Sequence, residues 1–159
     1  MSRDQQLHRL PMIVSAVIAL VLSVLPLPHW GEVGRPDFLV IVVLYWAIMS
    51  PRAGGLLLAF IAGLALDAAK GVVLGQHALA LTLATAIAIN LHLRIRVFPI
   101  LHQALTIFML LVIYQFVLYW IDGASGHPVT TMWRWLPAFT GAALWPVFAG
   151  LLGIAYQRT

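Results

Sequence analysis

Six apolar stretches run along the chain, and the short gaps between them hold most of the charged residues. A helix needs about 20 apolar residues to cross the hydrocarbon core of a bilayer. The pattern therefore predicts one all-α membrane domain, a compact bundle of about six transmembrane helices. The predicted spans are residues 10–28, 36–49, 53–66, 77–91, 97–121 and 136–156.

Composition supports a membrane protein. Hydrophobic residues make up 62% of the 159 residues and charged residues 9%, whereas a soluble domain has about 25% charged residues. The chain has no cysteine, which excludes disulfides and thiolate metal sites. The net charge of +4 is scattered over short gaps, and this favours anionic lipids over nucleic acid as the charged partner.

The second and third stretches are short for membrane spans. Each holds about 14 residues, or about 21 Å of helix, against a hydrocarbon core of about 30 Å. The turn Ser50-Pro51-Arg52 between them favours two separate short helices. A five-span arrangement with a re-entrant pair is the alternative.

The basic residues of the gaps predict the orientation, because Lys and Arg are enriched in cytoplasmic loops. Six spans with both termini in the cytoplasm divide the basic residues 6 to 3. The cytoplasmic set is Arg3, Arg9, Arg52, Arg94, Arg96 and Arg158, and the outer set is Arg35, Lys70 and Arg134. The acids lean the other way, with Asp4 inside and Glu32, Asp37, Asp67 and Asp122 outside.

Small residues recur every four positions in the third stretch, at Gly55, Ala59 and Gly63. This spacing puts them on one helical face and lets another backbone approach closely. The fourth stretch repeats the spacing at Ala80, Ala84 and Ala88. We interpret both faces as packing within the bundle, and the alternative is a docking face for another protein's helix. Pro146 predicts a kink in the last span.

Charged and glycine residues cluster at the predicted outer end of the third span. Asp67 and Lys70 can pair on a continuing helix, and Gly71 and Gly75 permit a tight reversal. One interpretation is structural, a charged helix end followed by a glycine turn. The other is a partner-binding site composed of Arg35, Asp37, Asp67 and Lys70.

Motifs for catalysis or metal binding are weak. The six histidines show no metal-ligand spacing, so we predict no metal and no cofactor, and we expect interfacial positions for most of them. Gly123-Ala-Ser125-Gly126 is similar to the GxSG of rhomboid-type proteases. The apolar stretch that follows it contains no histidine to act as a general base. We therefore predict that the protein is not an enzyme, with an intramembrane hydrolase as a distant alternative.

Three strings of residues resemble the MreD family of bacterial rod shape-determining proteins. They are the run from Arg35 to Trp46, the stretch from Gly63 to Asp67 with the following Leu74-Gly75, and Leu144-Trp145-Pro146. Order, spacing and length agree over nearly the whole chain, although no single motif is specific. The first span and residues 122–135 resemble the family only in hydropathy.

The resemblance implies a non-enzymatic subunit of the cell-wall elongation complex in the bacterial inner membrane. It implies as partners the bitopic protein MreC, the MreB filament, the RodA glycosyltransferase and a penicillin-binding transpeptidase. It also implies a fold similar to the substrate-binding subunits of energy-coupling-factor transporters. That likeness concerns architecture and does not establish a ligand. The alternative function is a small-molecule-binding subunit of a transporter.

Overall fold

The computed structural model describes residues 9–53, 55–127 and 131–157, and every regular element in these ranges is helical. This confirms the predicted all-α class. The elements are α1 (Arg9–Val24), the short α2 (His29–Glu32), α3 (Phe38–Met49), α4 (Leu56–Lys70), α5 (Gln76–Val97), α6 (Ile100–Ala124) and α7 (Leu136–Gln157). A 3-10 turn, Met132–Trp135, leads directly into α7.

The shortest of the long helices, α3, lies at the centre of the bundle. Its 12 residues are apolar, and all but Phe38 and Met49 are buried. It packs against α1, α5 and α7, with lesser contacts to α4 and α6. A helix that is apolar on every side is typical of a protein interior. Because α3 is enclosed by protein, its length does not have to match the thickness of the lipid.

The helices of the bundle divide into long and short ones. Helices α5 and α6 and the segment Met132–Gln157 are each long and apolar enough to cross a membrane. Helices α1 and α3 are shorter apolar helices. The strongest neighbour pairs are α4 with α5 and α5 with α6, followed equally by α3 with α5 and α6 with α7. The number of helices that cross the membrane stays a prediction.

Helix ends differ from the predicted span limits for local reasons. Helix α1 ends at Val24 because Pro26 and Pro28 cannot continue it. Helix α4 begins at Leu56 and continues to Lys70, where Gly71 ends it in the left-handed conformation. Helix α5 extends to Val97, beyond the predicted limit at residue 91, and α6 begins after Pro99. Helix α7 is continuous through Pro146.

The bundle has two ends of different charge. Helices α3 and α5 begin at one end of the bundle, and α4 and α6 finish there; we call it the polar end. We call the opposite end the basic end. The polar end contains all four described acids together with Arg35, Lys70 and Arg134. The basic end contains Arg9, Arg52, Arg94 and Arg96. Arg3, Asp4 and Arg158 lie outside the described residues.

Two buried tryptophans tie the core to polar partners. Trp46 of α3 is fully buried and donates from Nε1 to Ser15 Oγ of α1 at 2.9 Å. Trp145 of α7 is also fully buried and donates to Gln103 Oε1 of α6 at 3.3 Å. A buried indole N–H usually has a partner, so these contacts fix how α1 and α6 lie against the core.

Candidate functional site at the polar end

Asp67 is the centre of a buried hydrogen-bond network at the polar end. Its side chain lies on the last turn of α4 and is fully buried. Oδ1 accepts from the backbone N–H of His77 at 2.8 Å, and Oδ2 accepts from the N–H groups of Gly75 at 2.9 Å and Ala78 at 3.4 Å. His77 Nδ1 lies 2.7 Å from Oδ1. The carboxylate of one helix therefore caps the N-terminus of the next.

This cap completes the hydrogen bonding of the first turn of α5. Four backbone N–H groups at a helix start have no partner within the helix. Here Gln76 N–H donates to the Val73 carbonyl, and Asp67 accepts from the other three, those of Gly75, His77 and Ala78. The N-cap residue, Gly75, has no side chain to cap the helix itself. A negative charge here also interacts favourably with the helix dipole.

Gly63 allows α4 to approach α5 closely enough for this contact. A Cβ at Gly63 would lie 2.3 Å from Ala78 Cα and 2.6 Å from Ala78 N. These distances are shorter than any tolerated contact, so only glycine permits the observed separation. Asp67 follows four residues later on the same face of α4, and it is thereby aimed at the same helix start.

A five-residue loop, Gly71–Gly75, links the two helices. Gly71 has φ +64° and Gly75 has φ +98°, a region of backbone conformation that favours glycine. Gly71 N–H and Val72 N–H both donate to the Asp67 carbonyl. The backbone and the side chain of Asp67 therefore hold opposite ends of the loop. The three residues between the glycines, Val72, Val73 and Leu74, are exposed.

A second carboxylate, Asp37, lies near the same network. It precedes α3 and accepts from Gln115 Nε2 of α6 at 2.9 Å. Arg35 and Lys70 are close enough to interact with Asp37 electrostatically. The adjacent Tyr114 is fully buried, with its ring 6.2 Å from that of His77. Polar groups from four helices, α3 to α6, therefore meet at the polar end.

A third carboxylate, Asp122 at the end of α6, extends the network to α7. Its Oδ1 accepts from Gln76 Nε2 at 2.9 Å, and its Oδ2 accepts from Arg134 Nη2 at 2.5 Å. Arg134 also lies over the Tyr119 ring, 5.9 Å from the centroid. Asp122 thus connects the start of α5 with the turn that leads into α7.

The four residues of the predicted partner-binding site occupy different environments. Asp67 is buried, Arg35 and Asp37 are partly buried, and Lys70 is exposed. The suggested pairing of Asp67 with Lys70 is wrong, because the described side chain in contact with the Asp67 carboxyl group is His77, whose Nδ1 lies 2.7 Å from Oδ1. Arg35 donates from Nη1 to the Leu25 carbonyl at 2.6 Å. The role of these residues in partner binding stays a prediction.

Sequence reasoning missed several members of the network. His77 was expected to be interfacial, but it is buried against Asp67. Gln76, Asp122 and Arg134 were not linked to the cluster, because their contacts join residues far apart in the sequence. The one available signal was polar residues at facing helix ends. Ser125 of the GxSG string is exposed at the end of α6.

The residues predicted to pack helices lie as follows. Ala59 and Gly63 are buried, whereas Gly55 is partly buried at the N-cap of α4. Ala80, Ala84 and Ala88 are fully buried along α5. Pro146 is exposed within α7, next to the buried Trp145. The small-residue faces of α4 and α5 are thus largely used inside this chain.

Comparison with known proteins gives a consistent result over most of the chain. The family model described as "rod shape-determining protein MreD" matches residues 4–154. The rod shape-determining protein MreD of Haemophilus influenzae is 31% identical over 131 residues, which cover 82% of this chain and 80% of that protein. No solved structure matches the chain. The predicted likeness to energy-coupling-factor subunits therefore stays a prediction.

Proposed function

Because the chain belongs to the MreD family of rod shape-determining proteins, we propose that it is a non-enzymatic membrane subunit of the cell-wall elongation complex. In this role it binds an MreC-like bitopic protein and helps to control rod shape and peptidoglycan insertion. The family match carries the rod-shape function, since it covers nearly the whole chain. The helical, apolar structure agrees with a membrane protein.

We further propose that the partner contacts the loop Gly71–Gly75 and the adjacent Lys70. Val72, Val73 and Leu74 expose apolar side chains at the end of the bundle, and Leu74 is 70% exposed. Asp67 holds both ends of this loop, because its side chain accepts from Gly75 N–H and its backbone carbonyl accepts from Gly71 N–H at the end of α4. An ordered apolar loop loses little conformational entropy when a partner binds. In this proposal Asp67 positions the loop, and Arg35 and Asp37 lie at the same end of the bundle.

The orientation in the proposal follows the charges. The basic end, with Arg9, Arg52, Arg94 and Arg96, faces the cytoplasm, and the polar end faces outward. We accordingly place the protein in the inner membrane with six spans and both termini cytoplasmic. The MreB filament would meet the basic end, and RodA and the transpeptidase would join through the bundle or through the MreC-like partner.

The transporter-subunit alternative gains no support from the polar end. Asp67, Asp122 and Gln115 are engaged with other side chains or with backbone groups of the same bundle. A ligand pocket instead needs polar groups that converge on a cavity. The described arrangement uses these groups to join helices.

The experiment is co-purification of the MreC-like protein of the same bacterium with Leu74→Asp. We expect at least a tenfold loss of partner relative to wild type, because a charge replaces an apolar contact. The matched control is Val97→Asp, which changes a residue 83% exposed at the opposite end of α5. Both variants must reach the membrane at wild-type levels. Full partner recovery with Leu74→Asp, or equal loss with Val97→Asp, would contradict the proposed contact.

A further inference from the structure

An open groove runs between α1 and α4 on the outside of the bundle. Its volume is about 630 Å³. The walls include Ile13 and Val17 of α1 and Ile61 of α4, all of which are more than half exposed. The floor is made by Leu39 of the central helix. Small residues along the way, among them Ala16 and Ala62, keep the groove deep.

The groove has a charge at one end only. Arg9 and Arg52 line its mouth at the basic end, and both side chains are exposed. The other described lining residues are apolar or glycine. The acids of the described ranges, Asp37 and Asp67 among them, lie at the polar end. Two guanidinium groups beside an apolar channel match a phosphate attached to a hydrocarbon chain.

The length of the groove fits a lipid acyl chain. Helices α1 and α4 run in the same direction, from Arg9 to Leu20 and from Gly55 to Ala65 along the groove. At about 1.5 Å per residue, eleven residues extend about 16 Å. This equals about half of the 30 Å hydrocarbon core, which is the depth of one leaflet.

We propose that this groove binds an anionic phospholipid from the leaflet at the basic end. Arg9 and Arg52 hold the phosphate, and one acyl chain lies along the channel between α1 and α4. A zwitterionic lipid has the same acyl chain, but its positively charged ammonium group offsets the negative charge of the phosphate that the arginines recognise. The site is at the opposite end of the bundle from the proposed partner-binding loop. Its test is therefore independent of that proposal.

The test compares phosphatidylglycerol with phosphatidylcholine of identical acyl chains, bound to the purified full chain in detergent and counted by native mass spectrometry. The variant is Arg9→Gln/Arg52→Gln, and the matched control is Arg94→Gln/Arg96→Gln, which removes two arginines from the same end away from the groove. Each basic side chain near a lipid headgroup contributes about fivefold in affinity. We expect about 30-fold weaker phosphatidylglycerol binding in the variant and less than threefold in the control.

A photo-crosslinker at Ile61 in wild-type membranes gives a second, independent readout. We expect an adduct with the mass of a phospholipid, and the same adduct should disappear when Ala62→Phe fills the groove. Equal losses in the two arginine variants would mean only a diffuse basic surface and would overturn the proposal. Equal binding of both lipids, or a protein adduct at Ile61, would overturn it as well, the latter in favour of a partner helix.

Discussion

Replacement of Asp67 by Asn tests whether the buried cap stabilises the bundle. The carboxylate is fully buried and accepts from three backbone N–H groups, with His77 Nδ1 as a fourth neighbour. Asn keeps one acceptor oxygen and turns the other into a donor. At least one of the N–H groups bound by a charged oxygen is then left without an acceptor.

The expected cost follows from this count. A hydrogen bond to a charged group contributes about 1.5–3 kcal/mol, and a charge at a helix N-terminus adds from about 0.3 to 2 kcal/mol. We expect Asp67→Asn to lower the free energy of unfolding by about 3 kcal/mol. The matched control is Asp37→Asn. Asp37 is only partly buried, and it accepts a described hydrogen bond from Gln115. An Asn side chain at this position can accept the same hydrogen bond through its amide oxygen. We expect a loss below about 1 kcal/mol for it.

The assay is reversible unfolding in mixed micelles by titration with a denaturing detergent, followed by circular dichroism. A double-mutant cycle with His77→Ala separates the imidazole contact from the backbone contacts, because His77→Ala retains the N–H that Asp67 binds. We expect a coupling energy of about 1 kcal/mol between the two side chains. If Asp67→Asn unfolds like wild type, or no more easily than Asp37→Asn, the cap does not stabilise the protein and the reasoning fails.

Two further predictions, one on helix packing and one on a buried hydrogen bond, use the same unfolding assay. Gly63→Ala should cost about 2–3 kcal/mol, because its Cβ would overlap the backbone of Ala78, while Gly150→Ala on an open face of α7 should be neutral or slightly stabilising; similar values for both would refute the close approach. Ser15→Ala should cost about 1 kcal/mol by leaving the buried Trp46 N–H unpaired, and the same change should cost clearly less in a Trp46→Phe background. Equal costs in the two backgrounds would show that this hydrogen bond contributes nothing.

Hydropathy predicted the positions of the long apolar helices α5, α6 and α7 well. The turn at Ser50-Pro51-Arg52 does separate α3 from α4. The second stretch was difficult to interpret, because it is shorter than the roughly 20 residues that a helix needs to cross the hydrocarbon core of a bilayer. The structure resolves it by burying α3 among other helices. Hydropathy cannot distinguish a helix in lipid from one enclosed by protein, because both are apolar on every side.

The candidate site was less predictable, for a different physical reason. A local pattern suggests that Asp67 pairs with Lys70, three residues away on the same helix. The actual partners begin eight residues later, and they come within reach only because Gly63 lets two helices meet and two glycines reverse the chain. Contacts such as Gln115 with Asp37 join residues 78 apart. Such pairs depend on how the packed helices are rotated relative to one another. A local pattern in a single sequence does not indicate this rotation.

The structural and the partner-binding interpretations of Asp67 are compatible in this structure. A fully buried carboxylate cannot itself contact another protein, yet the loop that it holds is exposed. Ordering a loop of five residues costs roughly 1–2 kcal/mol per residue in backbone entropy. The Asp67 network meets that cost during folding, so a partner that binds Val72, Val73 and Leu74 does not have to meet it again. The same carboxylate can therefore matter for stability and for partner affinity without being part of the contact surface.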